Sequence, residues 1–190
     1  MKIALRAIAV LLVMVALGAG ALLAIVGLNM RTYQRLTYER PVATLEFEEK
    51  GPQRYLATLT RLPTGVEQKF ELAGDEWQVD ARVLKWSGYA TLLGLDSRYR
   101  LERVSGRYRD VDQDRTAPRS VYALGETPVI DLWSLAEAHP SWFFFLDGLY
   151  GSATYLPMAA GAEYDVTLTQ SGLIARPRND MAKTVSRAWR

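Results

Sequence analysis

The chain has 190 residues, with 23 Lys+Arg against 21 Asp+Glu, 49% hydrophobic residues and 11% aromatics. That length suits one domain plus an appendage, and the near-neutral balance argues against a strongly basic nucleic-acid binder or an acidic disordered chain. With no cysteine and a single histidine, disulfides, Cys-ligated zinc, iron–sulfur clusters, a cysteine nucleophile and any site needing two histidines are excluded.

The N-terminus carries the first strong signal. Residues Ala7–Leu28 form a run of 22 without a charged or strongly polar side chain. At about 1.5 Å per residue this makes a helix of roughly 33 Å, enough to cross a hydrocarbon core of about 30 Å. A helix apolar all the way round has no place on the surface of a soluble domain. Lys2 and Arg6 precede it, and Arg31, Arg35 and Arg40 follow with Tyr33 and Tyr38 among them, residues that snorkel or settle at the headgroup level. A cleaved signal peptide is the rival reading, with Ala19-Gly20-Ala21 as its cleavage site. Cleavage there leaves the greasy start Leu22-Leu23-Ala24-Ile25-Val26-Gly27-Leu28, so an uncleaved anchor is the better reading. The basic residues on the two sides nearly balance. The signal-like layout of the start then sets the expected topology: a cytoplasmic N-terminus, one pass through the cytoplasmic (inner) membrane, and a periplasmic C-terminal domain.

Within the anchor Ala16, Gly20 and Ala24 recur every four residues, with Gly27 close to the same face. Small residues at this spacing let helix backbones approach; they mark a candidate face for self-association or for packing on a larger membrane protein. The bland alternative is that Ala and Gly are common in membrane helices. The sequence thus divides into a tail (1–6), a transmembrane helix (7–28), a membrane-proximal stalk (29–41), a β-rich soluble domain (42–178) and a C-terminal tail (179–190). Met30, Tyr33 and Leu36 keep helical spacing in the stalk until Pro41 stops it.

From Val42 the period switches to two. Ala43, Leu45 and Phe47 alternate with polar residues, as do Tyr55, Ala57 and Leu59, then Val66, Phe70 and Leu72, then Trp77, Val79, Ala81 and Val83. Lys50-Gly51-Pro52 and Pro63-Thr64-Gly65 separate the first segments, and Gly74-Asp75 reads as a two-residue hairpin. The pattern predicts an antiparallel meander with one wet face. Further on, Trp86–Leu95 reads as a loop, Asp96–Asp110 as a fifth strand bent near Ser105-Gly106, and Ser120–Leu124 as a sixth. Asp131–His139 reads as a helix ended by Pro140, Trp142–Tyr150 as a short apolar helix or loop, and Tyr164–Thr169 with Leu173–Arg176 as a closing hairpin. In the tail a frayed helix would put Met181, Val185 and Trp189 on one side. The predicted fold is mainly β: an N-terminal transmembrane helix, then an antiparallel β-sandwich or partly open barrel with a short helical insert.

Chemistry is harder to find. Asp110, Asp112 and Asp114 resemble the start of a calcium loop, but Arg115 stands where the sharp turn needs glycine and Val121 where a bidentate glutamate belongs. His139 has no serine or acid in a triad order. Glu48-Glu49 and Asp75-Glu76 read as surface charges beside turns. Arg98, Arg100, Arg103, Arg107 and Arg109 invite a phosphate, lipid headgroup or acidic glycan, yet interspersed acids favour a salt-bridged solvent face. No metal or cofactor site and no catalytic set is predicted. Trp142, Phe143, Phe144, Phe145 and Leu146 differ, since so many consecutive large apolar residues cannot all point inward from a short element; core packing and docking on a membrane or partner both remain open.

Several strings resemble one group of proteins: Glu71-Leu-Ala-Gly-Asp-Glu-Trp-Gln-Val-Asp-Ala-Arg-Val-Leu-Lys-Trp86, Leu93-Gly-Leu-Asp96 with Tyr99-Arg-Leu-Glu-Arg103, Ser105-Gly-Arg-Tyr-Arg109, and Tyr150-Gly-Ser-Ala-Thr-Tyr-Leu-Pro-Met158. They are similar to small single-pass envelope proteins of Gram-negative bacteria labelled cation/multidrug efflux pump or multidrug transporter. That group supplies no catalytic or ligand residues. One membrane helix cannot enclose a polar path across a bilayer, so the label implies an accessory subunit and not a pump. The expected function is therefore a non-enzymatic, membrane-anchored interaction or scaffolding module of the envelope. Its expected partners are the lipid bilayer and other envelope proteins or a second copy, without nucleic acid. The alternative is a binder of an apolar ligand, lipid or drug, within the β domain.

Overall fold

The computed structural model describes residues 2–87, 97–125, 135, 136, 138, 139, 141, 146–169 and 171–189. The unbroken apolar run folds as predicted into a helix, α1 (Lys2–Thr37, 36 residues). Its span Ala9–Met30, 22 residues, is long and apolar enough to cross a membrane, and none of it is buried in protein. The helix stops three residues short of the predicted stop. Arg40 and Pro41 belong to the first strand, β1 (Arg40–Gly51). Pro41 lacks an N–H to give, and the register of that strand shifts between Pro41 and Ala43, where a proline does least harm to the ladder. Two compact units follow, Met1–Tyr38 and Glu39–Arg190.

The second unit is a sandwich of two antiparallel sheets. One has five strands in the order β3-β2-β1-β8-β9 and the other four in the order β6-β5-β4-β7. Besides β1, they are β2 (Arg54–Arg61), β3 (Val66–Ala73), β4 (Glu76–Trp86), β5 (Arg98–Arg107), β6 (Val121–Ala123), β7 (Leu146–Pro157), β8 (Glu163–Thr169) and β9 (Gly172–Pro177). The alternation read from the sequence sets the inner faces. Leu45, Phe47, Ala57, Leu59, Trp77, Val79, Val83, Tyr164 and Val166 are all buried between the sheets. Trp77 lies at the centre, 0% exposed, with ring centroids 6.1 Å from Phe47 and 5.4 Å from Tyr164. The Tyr164 hydroxyl donates to Pro157 O at 2.7 Å, so the large buried phenol keeps its polar end satisfied.

Two expectations need correction. Gly74-Asp75 is not a hairpin turn within one sheet. It is the corner at which the chain leaves the first sheet, ending β3, and opens β4 in the second. Gly74 sits at φ +130°, and a Cβ there would run into the backbone of Arg107, so glycine is required both by conformation and by space. Opposite it, a Cβ on Gly106 would run into the carbonyl of Ala73. Asp75 N–H donates to Arg107 O and Met158 N–H to Asp75 O, at 2.9 and 2.8 Å, tying the corner to both neighbouring strands. Second, residues from Leu146 onward are neither helix nor loop. They form the long strand β7, in register with β4 from Trp86↔Leu146 to Glu76↔Pro157. The short run could not be told from a helix by periodicity because β7 is rich in Gly, Tyr and Leu with no clean alternation.

Two short helices are described from end to end. α2 (Val111–Thr116) follows β5, and α3 (Asp180–Ala188) follows β9. α3 is not frayed. Asn179 caps it by accepting from Ala182 N–H at 2.9 Å, while its amide donates to Gly161 O at 2.7 Å. The packed face is Ala182, Val185, Ser186 and Trp189; Met181, expected on that side, is exposed. Leu135, Ala136 and Ala138 are helical, in keeping with the predicted insert.

Candidate functional site

The polar groups at the end of the sandwich opposite the start of β1 are the most organised. Glu76 opens β4 and faces outward, which the sequence read as solvent. It is 3% exposed. Arg107 across the ladder and Arg109 beyond it bring their Nε atoms to 3.6 and 3.7 Å of its carboxylate, and Trp189 of α3 donates its Nε1–H at 2.6 Å. A buried carboxylate is tolerated only with such partners. Arg107 also lies over the Tyr155 ring at 4.4 Å, and that ring meets Trp189 edge-on at 5.7 Å. The indole is thus held from two sides, and α3 with it.

Beside this cluster lies an open cleft of about 650 Å³ lined by Tyr55, Asp75, Arg109, Met158, Val185 and Trp189, among others. Asp75 is engaged there by the Gln53 amide at 2.9 Å and Arg109 N–H at 3.0 Å. A second cleft, about 560 Å³, opens at the other end between Arg61, Leu62 and Val66 on one side and Tyr99, Arg100 and Leu101 on the other. Both have charged walls. The space between the sheets, where an apolar ligand would have to lie, is occupied by Trp77, Phe47, Tyr164 and their neighbours.

The arginine cluster resolves into pairs. Arg103 hydrogen-bonds Asp80, which also accepts from Gln78 at 2.7 Å. Arg82 reaches Glu102 at 2.5 Å and Arg100 reaches it at 3.8 Å. The Asp80 carboxylate raises the Arg103 guanidinium further above its ordinary value. With Glu76 on Arg107 and Arg109, this face is salt-bridged as expected, but Arg103, Arg107 and Arg109 take their acids from β4, while the interspersed acid Glu102 meets Arg82 and Arg100. One uninterrupted register sets Glu76 opposite Arg107 and Asp80 opposite Arg103, and the pairing shifts only beyond them, between Asp80 and Ala81.

The acidic loop likewise serves the fold. Asp110 caps α2 through Gln113 N–H at 2.7 Å, and Asp114 accepts from Tyr108 N–H at 3.1 Å and meets Arg119 at 3.3 Å. Among the described residues no group of three or more His, Asp and Glu is placed to hold a metal ion. His139 is exposed, and its backbone N–H donates to Leu135 O at 3.0 Å. Of the predicted docking residues, Trp142, Phe143, Phe144 and Phe145 lie outside the described residues, whereas Leu146 is half-buried at the start of β7. Ala16, Gly20, Ala24 and Gly27 are all exposed on α1, and nothing lies within 4 Å of a Cβ placed on Gly20 or Gly27.

The Glu76 cluster escaped the sequence reading. Its signal was present as Glu76 on the wet face of one strand and Arg107 on the next, but only the register brings them opposite. No protein-family model matches the chain, and neither a curated protein nor a solved structure matches it.

Proposed function

We propose that the chain is a single-pass membrane protein of the bacterial envelope whose exported β-sandwich acts as an interaction or scaffolding module, an accessory of a transport or envelope-maintenance complex and not a transporter or an enzyme. The observation that carries this reading is α1. Its span Ala9–Met30 presents apolar side chains on every side and buries none of them in protein, which water does not tolerate and a bilayer does. The exposed small-residue face of Ala16, Gly20, Ala24 and Gly27 supports packing against another membrane helix. The sandwich that follows in the chain has a filled core, and its outward carboxylates at Glu76 and Asp80 are held by arginines. That arrangement suits recognition by surface and edge more than proton transfer.

The experiment has two arms. A reporter enzyme fused after Arg190, active only outside the cytoplasm, should be active, and the chain should stay with the inner-membrane fraction through high salt. A photo-crosslinker placed in turn at positions 142–146 in intact cells should capture an envelope protein or lipid. A chain released into buffer with its N-terminus near Leu22, or a reporter active only in the cytoplasm, overturns the reading.

A further inference from the structure

Strand β3 is an edge of the five-stranded sheet, and among the described residues no strand pairs with its outer side. Two hydrogen bonds fix which of its backbone groups point outward. Ala73 N–H donates to Ser120 Oγ at 2.8 Å, and Glu71 O accepts from the Tyr122 hydroxyl at 3.1 Å. Odd-numbered residues of β3 therefore turn their N–H and C=O away from β2. The corner side of the edge is closed by Ser120 and Tyr122, while Glu67 and Lys69 present their groups beyond it. Their side chains are exposed on the outer face of the sheet, and Val66 on the inner face is 52% exposed.

We infer that this edge pairs with the same edge of a second copy, antiparallel about a two-fold axis through Gln68. Three features select that register. First, parity allows it: Glu67 of one copy falls opposite Lys69 of the other, both with outward backbone groups, so they exchange N–H···O=C bonds as a hydrogen-bonded pair. Second, charge favours it. Each Glu67 meets a Lys69, whereas sliding the strands by two residues, which moves the axis to Glu67 or to Lys69, puts Glu67 against Glu67 or Lys69 against Lys69, and like charges directly opposite are destabilising. The register that would set Lys69 against Glu71 meets a carbonyl already held by Tyr122. Glu48, on the same outer face, is held by Lys50 at 2.6 Å. Third, the inner face matches too, because the exposed Val66 falls opposite Phe70 of the partner copy.

A lysine on an edge strand ordinarily deters such pairing. Here a glutamate two residues away on the same face turns the deterrent into self-complementarity, the requirement of an isologous interface. The contact is small by the standard of stable dimers in solution. Copies confined to one membrane meet at a raised effective concentration, so the strength of the pairing, though not its register, rests on the anchored reading.

The chain's lack of cysteine makes the test direct. The full chain carrying Gln68→Cys, reconstituted in vesicles of phosphatidylethanolamine and phosphatidylglycerol, should form a disulfide dimer under mild oxidation. Glu48→Cys, on the same sheet but away from the axis, should not. Adding Glu67→Lys or Lys69→Glu should lower the Gln68→Cys dimer about five- to tenfold, because each places two like-charge contacts across the axis, and the double exchange Glu67→Lys with Lys69→Glu should restore it. Energy transfer between dyes on Ser171→Cys, an exposed position in the turn between β8 and β9, should follow the same series. Equal cross-linking at Gln68 and Glu48, or a series in which the double exchange fails to restore what the single changes removed, overturns the inference. Failure of the anchored reading registers separately, as chain recovered outside the vesicle fraction; a dimer specific to Gln68 in that fraction supports the edge pairing all the same.

Discussion

Replacing Glu76 tests the reasoning about the buried carboxylate. The Glu76 side chain is 4% exposed, while Arg107 and Arg109 remain 37% and 57% exposed at their side chains. The arginines can turn to water when the charge is removed, so the full 3–5 kcal/mol of a broken, fully buried ion pair does not apply. Glu76→Gln keeps an oxygen for Trp189 Nε1–H but turns a charge-assisted bond into a neutral one, a loss of about 1 kcal/mol, and the two half-exposed pairs add about 0.5 kcal/mol each. The expected cost is about 2 kcal/mol. Glu76→Ala leaves the indole N–H without its acceptor and should cost about 3 kcal/mol. Trp189→Phe keeps a ring against Tyr155 and should cost about 1 kcal/mol, with a coupling of at least about 0.5 kcal/mol to Glu76→Gln in a double-mutant cycle. Urea titration of the detergent-solubilised chain, followed by near-ultraviolet circular dichroism, reads all four values. A Glu76→Gln protein within about 0.5 kcal/mol of the parent, or additivity with Trp189→Phe, would refute the idea that this carboxylate clamps α3 to β4.

Gly106→Ala should cost about 3 kcal/mol or more by the same titration, because its Cβ would run into the Ala73 carbonyl across the corner of the sandwich; a neutral outcome would mean the corner relaxes freely. The Arg176 guanidinium hydrogen-bonds Glu39 and holds its carboxyl below the usual carboxylate range. The lowered value means this pair stabilises the fold above the unfolded carboxylate range and loses that contribution as pH falls through the folded value. Arg176→Gln should therefore cost no more than about 1 kcal/mol at neutral pH, with the difference from the parent shrinking as pH falls through and below the usual carboxylate range. Burial raises the Tyr164 phenol above its ordinary value. Stability from that group is complete below about pH 10 and is lost as pH rises further. Tyr164→Phe should remove part of the alkaline loss and cost about 1–2 kcal/mol at neutral pH through the orphaned Pro157 carbonyl, as read by stability curves at several pH values.

What the sequence made legible follows from which patterns are local. The helix α1 needs only composition and length, so its reading survived to within a turn at the C-terminal end. β1 to β4 have strict alternation, so their inner faces, Leu45, Phe47, Trp77 and Val79 among them, were readable in advance. The partition of those strands between two sheets was not, because Gly74-Asp75 has the chemistry of a hairpin and becomes a corner only through its contact with Arg107 and Met158. Glu76 was misread for the same reason. Alternation tells which way a side chain points, and only neighbouring strands decide whether water reaches it. Trp189 of α3, Arg107 of β5 and Arg109 just after it come from distant stretches of chain to cover it.

The edge of β3 illustrates the complementary limit. Glu67, Lys69 and Glu71 look in sequence like three equivalent outward charges. The fold makes them unequal, because Tyr122 and Ser120 of the opposite sheet take the backbone groups at Glu71 and Ala73 and leave the pairing capacity at Glu67 and Lys69. With opposite charges two positions apart, this edge is selective in pairing with its own copy, since moving the two-fold axis from Gln68 to Glu67 or Lys69 sets like charges opposite each other. Both sheets pair acids with their own basic residues, Asp80 with Arg103 and Glu76 with Arg107 on one, Glu48 with Lys50 and Glu39 with Arg176 on the other, whereas Glu67 and Lys69 stand at a border where a two-fold-related partner would match both at once.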